Sequence, residues 1–405
     1  GLGLTAADIA ALEDRTEGWI AGLQLAALAL QGTLALQGTL SVQGRPDVPG
    51  FIQAFAGDHR YIVDYLVEEV LQRQPAPVRN FLLQTAILDR LHGPLCDAVT
   101  GQQEGSARLE ALQRGNFFVV PLDDKRHWYR YHHLFAEVLA THLRAEQPDQ
   151  VPTLHRRASE WYEQHSPPAD AIRHALAGGD FERAAGLVEL AAPAMSRRRQ
   201  EAVLLGWLKS IPNEVVRARP VLSVVYAHLL LDNGEVDGVE DHLRDAESWL
   251  DTALDTGADS RARPRPSQRE PRTRPLAETW PEQSARMVVV DNEAFRRLPG
   301  MIAIAHAGLA LARGDVPATM TYAQRALDLA PEDDHMTRGG AAGFLGLASW
   351  TRGDLEAAYQ TYAEGMASLQ KAGNISDTIN GAITLADIRM AQGRPREAMR
   401  TYEQA

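Results

Sequence analysis

One cysteine, three lysines and no phosphate-binding loop set the first limits on this chain of 405 residues. The lone thiol, Cys96, excludes an internal disulfide and any zinc site built on several cysteines, and a free cysteine of this kind is ordinarily a small buried apolar residue. The lysines are Lys125, Lys209 and Lys371, and none follows a G-x-x-x-x-G stretch. A Walker-type loop needs that lysine to reach the phosphates, so no ATP hydrolysis is expected of these residues alone. G-x-S-x-G and H-E-x-x-H are missing too, which leaves no candidate catalytic residue. Lys and Arg total 41 against 53 Asp and Glu, and the net charge of −12 argues against nucleic-acid binding by this chain itself. Long apolar runs are also missing. The best, Trp19 to Leu30, is interrupted by Gln24 and too short for a bilayer, so no membrane partner is expected. With no secretory signal either, the expected setting is cytoplasmic. Methionine first occurs at Met195 and the chain opens on Gly1, as expected for a piece of a longer protein.

What is present is a globular composition, 45% apolar, with room for two to four domains. The most telling stretch runs from Leu122 to Phe135, LDDKRHWYRYHHLF. Phe117 to Leu122 is an apolar, β-branched and aromatic run suited to a half-buried strand. Asp123 to Arg126 is a polar turn, and His127 to Tyr131 is a second strand, with a Trp and two Tyr. Ser106 to Gln113 reads as a helix closed by Gly115-Asn116, and Leu134 to Leu143 as a helix after the hairpin. Helix, wing and helix in that order predict a winged helix. Tyr61 to Gln72 and Pro77 to Leu88 are further helices upstream. Near the start, Thr5 and Asp8 have the spacing of a helix cap, a second helix is expected from Trp19 to Gln31, and LALQGT occurs twice in tandem, at 28–33 and 34–39. His127, His132 and His133 are close in sequence, but adjacent strand residues point to opposite faces. With no nearby cysteine and no carboxylate pattern, no metal site is expected there.

From Thr153 onward the pattern is helix, short break, helix, and a repeat can be counted. Gly353 is followed at offsets 5, 9 and 12 by Ala358, Tyr362 and Gly365. Gly393 gives Ala398, Tyr402 and Ala405; Gly179 gives Ala184, Val188 and Ala191; Gly234 gives Val239, Leu243 and Ala246; and Gly314, less closely, gives Thr319, Ala323 and Ala326. Small, large, small on one helix face lets a hairpin mate approach, which is the tetratricopeptide arrangement. The last three glycines are 39 and 40 residues apart, longer than the usual period of about 34. One stretch breaks the array. Between Arg261 and Pro275 lie six Arg and four Pro with almost nothing apolar, so a solvated, disordered insertion is expected, at about 256–282.

Several of these words resemble one family. GPLCDAVTG (Gly93 to Gly101), NFFVVPLDDKRHWYRYHHLF (Asn116 to Phe135), TEGWIAGLQLAALAL (Thr16 to Leu30), GDHRYIVDYLVEEVL (Gly57 to Leu71), LHRRASEWYEQ (Leu154 to Gln164) and AIRHALAGGDFERAAGLVE (Ala171 to Glu189) are similar to the MalT-like, signal-transducing STAND ATPases, whose chains often end in a LuxR-type DNA-binding domain. The resemblance implies a mostly α chain: lid helices of a nucleotide-binding module at 1–48, a winged-helix domain with a small β-hairpin at 49–150, and a tetratricopeptide-like superhelical repeat at 151–405. It implies the middle segment of a signal-responsive, ATP-dependent transcriptional regulator. ATP or ADP would belong to the whole protein, with none expected for these residues alone. A small-molecule or protein inducer would sit on the repeats, the active protein would self-associate, and DNA would be met only through a domain outside these residues.

The resemblance also singles out His132, whose motif position touches the β-phosphate of bound ADP in such proteins; the residue-level alternative is a histidine packed at a strand–helix junction. His133 is expected to face away, and Arg130 to be a solvated strand residue. Ile20 stands where relatives often carry a base-packing proline, which weakens any claim for the segment Trp19 to Leu23. Two other readings compete: a stand-alone tetratricopeptide interaction scaffold, and an effector of another output, such as one linked to a protein kinase, built on the same middle.

Overall fold

A computed structural model of the chain describes residues 5–16, 67, 70–115, 117–259 and 287–404, with no side-chain description at 14–16, 252–259, 375–376 and 404. The chain divides into two compact units, Gly1–Asp180 and Phe181–Ala405. The expected helix at Trp19 to Gln31, the tandem LALQGT, Ile20 and most of the helix at Tyr61 to Gln72 lie outside the described residues, as does most of the expected insertion.

In the first unit α1 (Ala6–Thr16) opens on the cap read from the sequence. The Asp8 amide donates to Thr5 Oγ1 at 3.2 Å, and the Thr5 amide donates back to the Asp8 carboxylate at 2.8 Å. The winged helix follows in the order α2 (Ala76–Thr85), β1 (Leu91–His92), α3 (Gly93–Thr100), α4 (Gly105–Arg114), β2 (Val119–Pro121), β3 (Trp128–Tyr131) and α5 (His133–Glu146). The sheet order is β1-β3-β2 with both pairings antiparallel, Leu91 opposite Tyr129 and Val119 opposite Tyr131. On β3 the period of two puts Tyr129 and Tyr131 into the core, while Trp128 and Arg130 are half-buried. Phe81, Leu82, Leu91, Leu95, Leu109 and Phe135 close the core from five elements, and Cys96 lies among them fully buried. Burial pushes its thiol up to about 12, so it is a packing residue and not a nucleophile. α6 (Val151–His165) and α7 (Pro168–Ala177) complete this unit, pinned by Ser159 Oγ donating to the Ala171 carbonyl at 2.8 Å.

The second unit is helical throughout its described residues. α8 (Phe181–Arg197), α9 (Glu201–Ser210), α10 (Asn213–Arg217), α11 (Pro220–Asp232) and α12 (Val239–Asp259) precede the undescribed stretch. α13 (Asn292–Ala312), α14 (Val316–Leu329), α15 (His335–Thr351), α16 (Leu355–Lys371), α17 (Ile375–Ala391) and α18 (Pro395–Gln404) follow it. The five glycines counted in the sequence all sit in helix–helix turns with positive φ, from 70° at Gly179 to 85° at Gly353. There an L side chain would crowd the backbone, and glycine has none. The turn is a two-residue device. The Gly353 amide donates to the Trp350 carbonyl at 2.9 Å, and the Asp354 amide reaches back to Ser349 at 3.0 Å. Asp354 then caps α16 by accepting from the Ala357 amide at 3.2 Å. Gly314-Asp315 and Gly373-Asn374 do the same. Most residues at the counted offsets are buried, and Ala184, Val188, Val239, Leu243, Thr319, Ala323, Ala326 and Ala358 are 0% exposed, whereas Tyr402 is 44% exposed.

The small residues allow close approach. A Cβ added at Gly365 would lie 2.8 Å from the Gly339 carbonyl oxygen, so α15 and α16 meet backbone to backbone. Arg219, at the start of α11, is 5% exposed and ties two turns of α8. It donates to the Glu182 carboxylate at 3.0 Å and faces Glu189, itself buried, at 3.7 Å.

Candidate functional site

Two places in the first unit gather polar side chains, and the one anticipated from sequence is the junction of β3 and α5. His132 is the N-cap residue of α5, with φ −57° and ψ 133°, and it is only 5% exposed. Its amide donates to the Phe118 carbonyl at 2.7 Å. Phe118 takes φ +53°, an uncommon conformation for a residue with a side chain, and its ring packs on Phe135 and meets His132 edge-on. His133 does not face away as expected. The His132 and His133 rings stack, with centroids 4.8 Å apart and planes at 19°. Strand alternation ends at Tyr131. His132 turns the chain into a helix, so the rule that separates neighbouring side chains no longer applies. Arg130 is half-buried on its strand, where its guanidinium donates to the Tyr131 carbonyl at 3.2 Å. Among the described residues no group of histidines, cysteines and carboxylates is arranged to hold a metal ion.

The second place was not anticipated. A cleft of about 480 Å³ opens between α4 and the wing. Arg114 stands at the end of α4, and Lys125, Arg126 and His127 line the opposite wall from the wing turn. That turn is fixed from within. The Asp123 carboxylate accepts from the His127 amide at 3.0 Å and the Trp128 amide at 2.8 Å, which holds its pKa below the usual range. Arg126 sits at φ +56°. His92 stacks on Trp128 at the rim, with ring centroids 4.7 Å apart. The signal available in the sequence was one of the three lysines placed beside an arginine in a wing turn, but only the fold brings Arg114 across from it.

Two further histidines form a pair in the first unit. The Nδ1 atoms of His155 on α6 and His174 on α7 are 2.9 Å apart, and Tyr162 stacks on the His174 ring. Desolvation and the charge of Arg173 lower both, to about 4 for His155 and about 3 for His174. In the second unit Asp232, at the end of α11, is desolvated and faces the like charges of Asp377 and Glu201. Its carboxyl is pushed up to about 6 in spite of Arg199, which pairs with Asp377 at 3.7 Å. No helix among the described residues is long and apolar enough to cross a membrane.

Residues 67–151 match the MalT winged helix domain, and residues 300–405 match the MalT-like TPR region. The serine/threonine-protein kinase PknK of Mycobacterium tuberculosis is 34% identical over 233 residues, 57% of this chain and 20% of the kinase. The HTH-type transcriptional regulator MalT of Klebsiella pneumoniae is 32% identical over 254 residues, 62% of this chain and 27% of that protein. The chain therefore spans about a quarter or less of either relative. A crystal structure of a STAND protein with a tetratricopeptide repeat sensor from Pyrococcus horikoshii aligns with TM-score 0.36 and 12% identity, over 94% of this chain and 64% of that one. Two segments of the chain are therefore similar to MalT domains, the winged helix at 67–151 and the tetratricopeptide repeats at 300–405.

Proposed function

We propose that this chain is the middle of a signal-responsive, ATP-dependent transcriptional regulator, in which the winged helix senses bound nucleotide and the repeats receive an inducer or partner. The observation that carries the reading is the occurrence of both MalT-type domains in one chain, winged helix first and repeats after it. In this reading ADP holds the resting protein closed. His132 donates a ring N–H to the β-phosphate, and the amide groups of the first turn of α5 lie beside it. An imidazole suits that task because it donates to a phosphate oxygen and its charge follows its surroundings. The donor set fits one phosphate group only, since no lysine-bearing loop accompanies it. ATP and inducer release the winged helix, the protein self-associates, and DNA is reached through a domain outside these residues.

The test uses the longer protein that carries the nucleotide-binding module. His132→Ala should loosen ADP about ten- to a hundredfold, the cost of a hydrogen bond to a charged group. Activity without inducer should rise as the closed population falls. His133→Ala should have a smaller effect in the same direction, because its ring steadies that of His132 by stacking. Unchanged ADP affinity in His132→Ala would leave that histidine a packing residue.

The identity with PknK supports a second reading, in which the same middle serves a protein-kinase output in place of a DNA-binding one. The coding sequence on either side of these residues decides between them: a kinase domain favours the second, a helix-turn-helix domain the first.

A further inference from the structure

We propose that the cleft between α4 and the wing binds a small phosphorylated anion, at a place separate from His132. The reading does not depend on the nucleotide role given to that histidine.

Charge is the first reason. Arg114, Lys125 and Arg126 all line the cleft, and Glu110 is the lone carboxylate among the lining residues. In a chain with a net charge of −12, cations have many acids to pair with. Lys209, for example, meets Glu235 at 2.9 Å. Yet among the described residues none of these three makes a salt bridge. Three unpaired cations facing one concavity suit a multiply charged anion with several acceptor oxygens.

An unsatisfied hydroxyl is the second reason, independent of the first. Tyr129 lines the cleft and is 2% exposed, and its buried hydroxyl has no hydrogen-bond partner among the described residues. Its neighbour on the same strand face shows the ordinary solution, the Tyr131 hydroxyl bonding Thr85 Oγ1 at 2.6 Å. Buried hydroxyls are nearly always paired, because leaving one unpaired forfeits its hydration with no return. A donor left open at the wall of a basic cleft is a donor for a ligand.

Shape decides what kind of anion. The volume of about 480 Å³ falls within the range of small-molecule sites. Asp123 fixes the wing turn from inside, so the wall that carries Lys125 and Arg126 is formed in advance. A duplex lying across the same face would meet Glu110 on the exposed side of α4 and cannot enter the concavity.

The test is a calorimetric titration of the whole chain with inorganic pyrophosphate at constant ionic strength. Saturable binding is expected. The charge reversal Lys125→Glu with Arg126→Glu should weaken it by roughly tenfold or more. Arg114→Gln should weaken it several-fold and serves if the double variant does not fold. Tyr129→Phe should bind several-fold more weakly while the ligand-free protein melts no lower than wild type, since the hydroxyl it loses has no partner to abandon. The proposal fails if binding does not saturate, if the charge-reversed protein binds equally well, or if Tyr129→Phe lowers the ligand-free melting temperature. It also fails if a short DNA duplex binds there in preference to pyrophosphate.

Discussion

His155 and His174 place their Nδ1 atoms 2.9 Å apart, and the contact requires one ring to donate and the other to accept. A proton added to the accepting ring breaks the bond, because it leaves two N–H donors facing each other and one ring charged in a buried setting. Both rings titrate far below the ordinary histidine value, at about 4 and about 3, because burial and Arg173 disfavour the charged form. The unfolded chain takes up these protons near pH 6.5, so it binds more of them than the folded chain does below that pH. Stability supplied by the pair is complete above pH 6.5 and is lost as pH falls toward 4. Between pH 7 and pH 5 the loss should be on the order of 4 kcal/mol, about 2 from each ring. Melting curves across that range should show it, and His155→Gln should flatten the slope. An unchanged slope would mean that the pair is not the source.

Arg219→Met should cost about 3–5 kcal/mol, because it strands the Glu189 carboxylate in a buried setting with no cation. Adding Glu189→Leu should recover most of the loss, since two apolar groups of similar size need no pairing. Urea unfolding of the single and double variants measures both. A double variant as unstable as the single one would place the defect elsewhere.

Three glycines of the second unit should give three different results with alanine. At Gly343 the new methyl meets its nearest neighbours at 3.9 Å, and helix propensity should stabilise by up to about 1 kcal/mol. At Gly346 it would lie 2.7 Å from Tyr362 Cβ, which should cost about 1–3 kcal/mol of overpacking. Nothing lies within 4 Å of Gly353, but φ is +85°, so backbone strain should cost about 1–2 kcal/mol. Denaturation midpoints rank the three, and a different order would contradict the close packing of α15 on α16.

Asp232→Asn should stabilise the second unit at neutral pH and change little at pH 4. The folded-state pKa is raised to about 6, so whatever stability the group supports belongs to its protonated form and fades as pH rises through that value. Asparagine keeps the neutral form at every pH. Loss of hydration is the largest cause of the shift and the like charges of Asp377 and Glu201 add to it, and a neutral amide relieves both. Thermal melts at the two pH values distinguish this from a loss of local hydrogen bonding, which would lower stability at both.

The repeats were legible because their signal is steric. A glycine forced into positive φ and a small residue at a close approach admit few alternatives, so Gly353, Ala358 and Gly365 can be counted without a structure. The wing was legible from Phe117 to Tyr131 by composition, apolar, β-branched and aromatic residues on either side of a polar turn. β1 was not, because two residues carry no period. The stacking of His133 on His132 was missed by extending strand alternation one residue past the strand end. The basic cleft was missed because Arg114 and the Lys125-Arg126 pair come from separate elements, and neither is a motif alone.

The glycine–aspartate turns bear on how the second unit acquires its fold. Each turn is written by bonds that reach no farther than the Asp354-to-Ser349 contact, five residues along the chain. Such contacts form without closing a long loop, so little entropy is lost before they are made. Hairpins of this kind grow by adding the next pair to one already formed, and any of them can begin the process. The order of assembly is then a matter of chance and proximity, and protection against hydrogen exchange should decline gradually toward the last hairpin instead of ending at a single boundary.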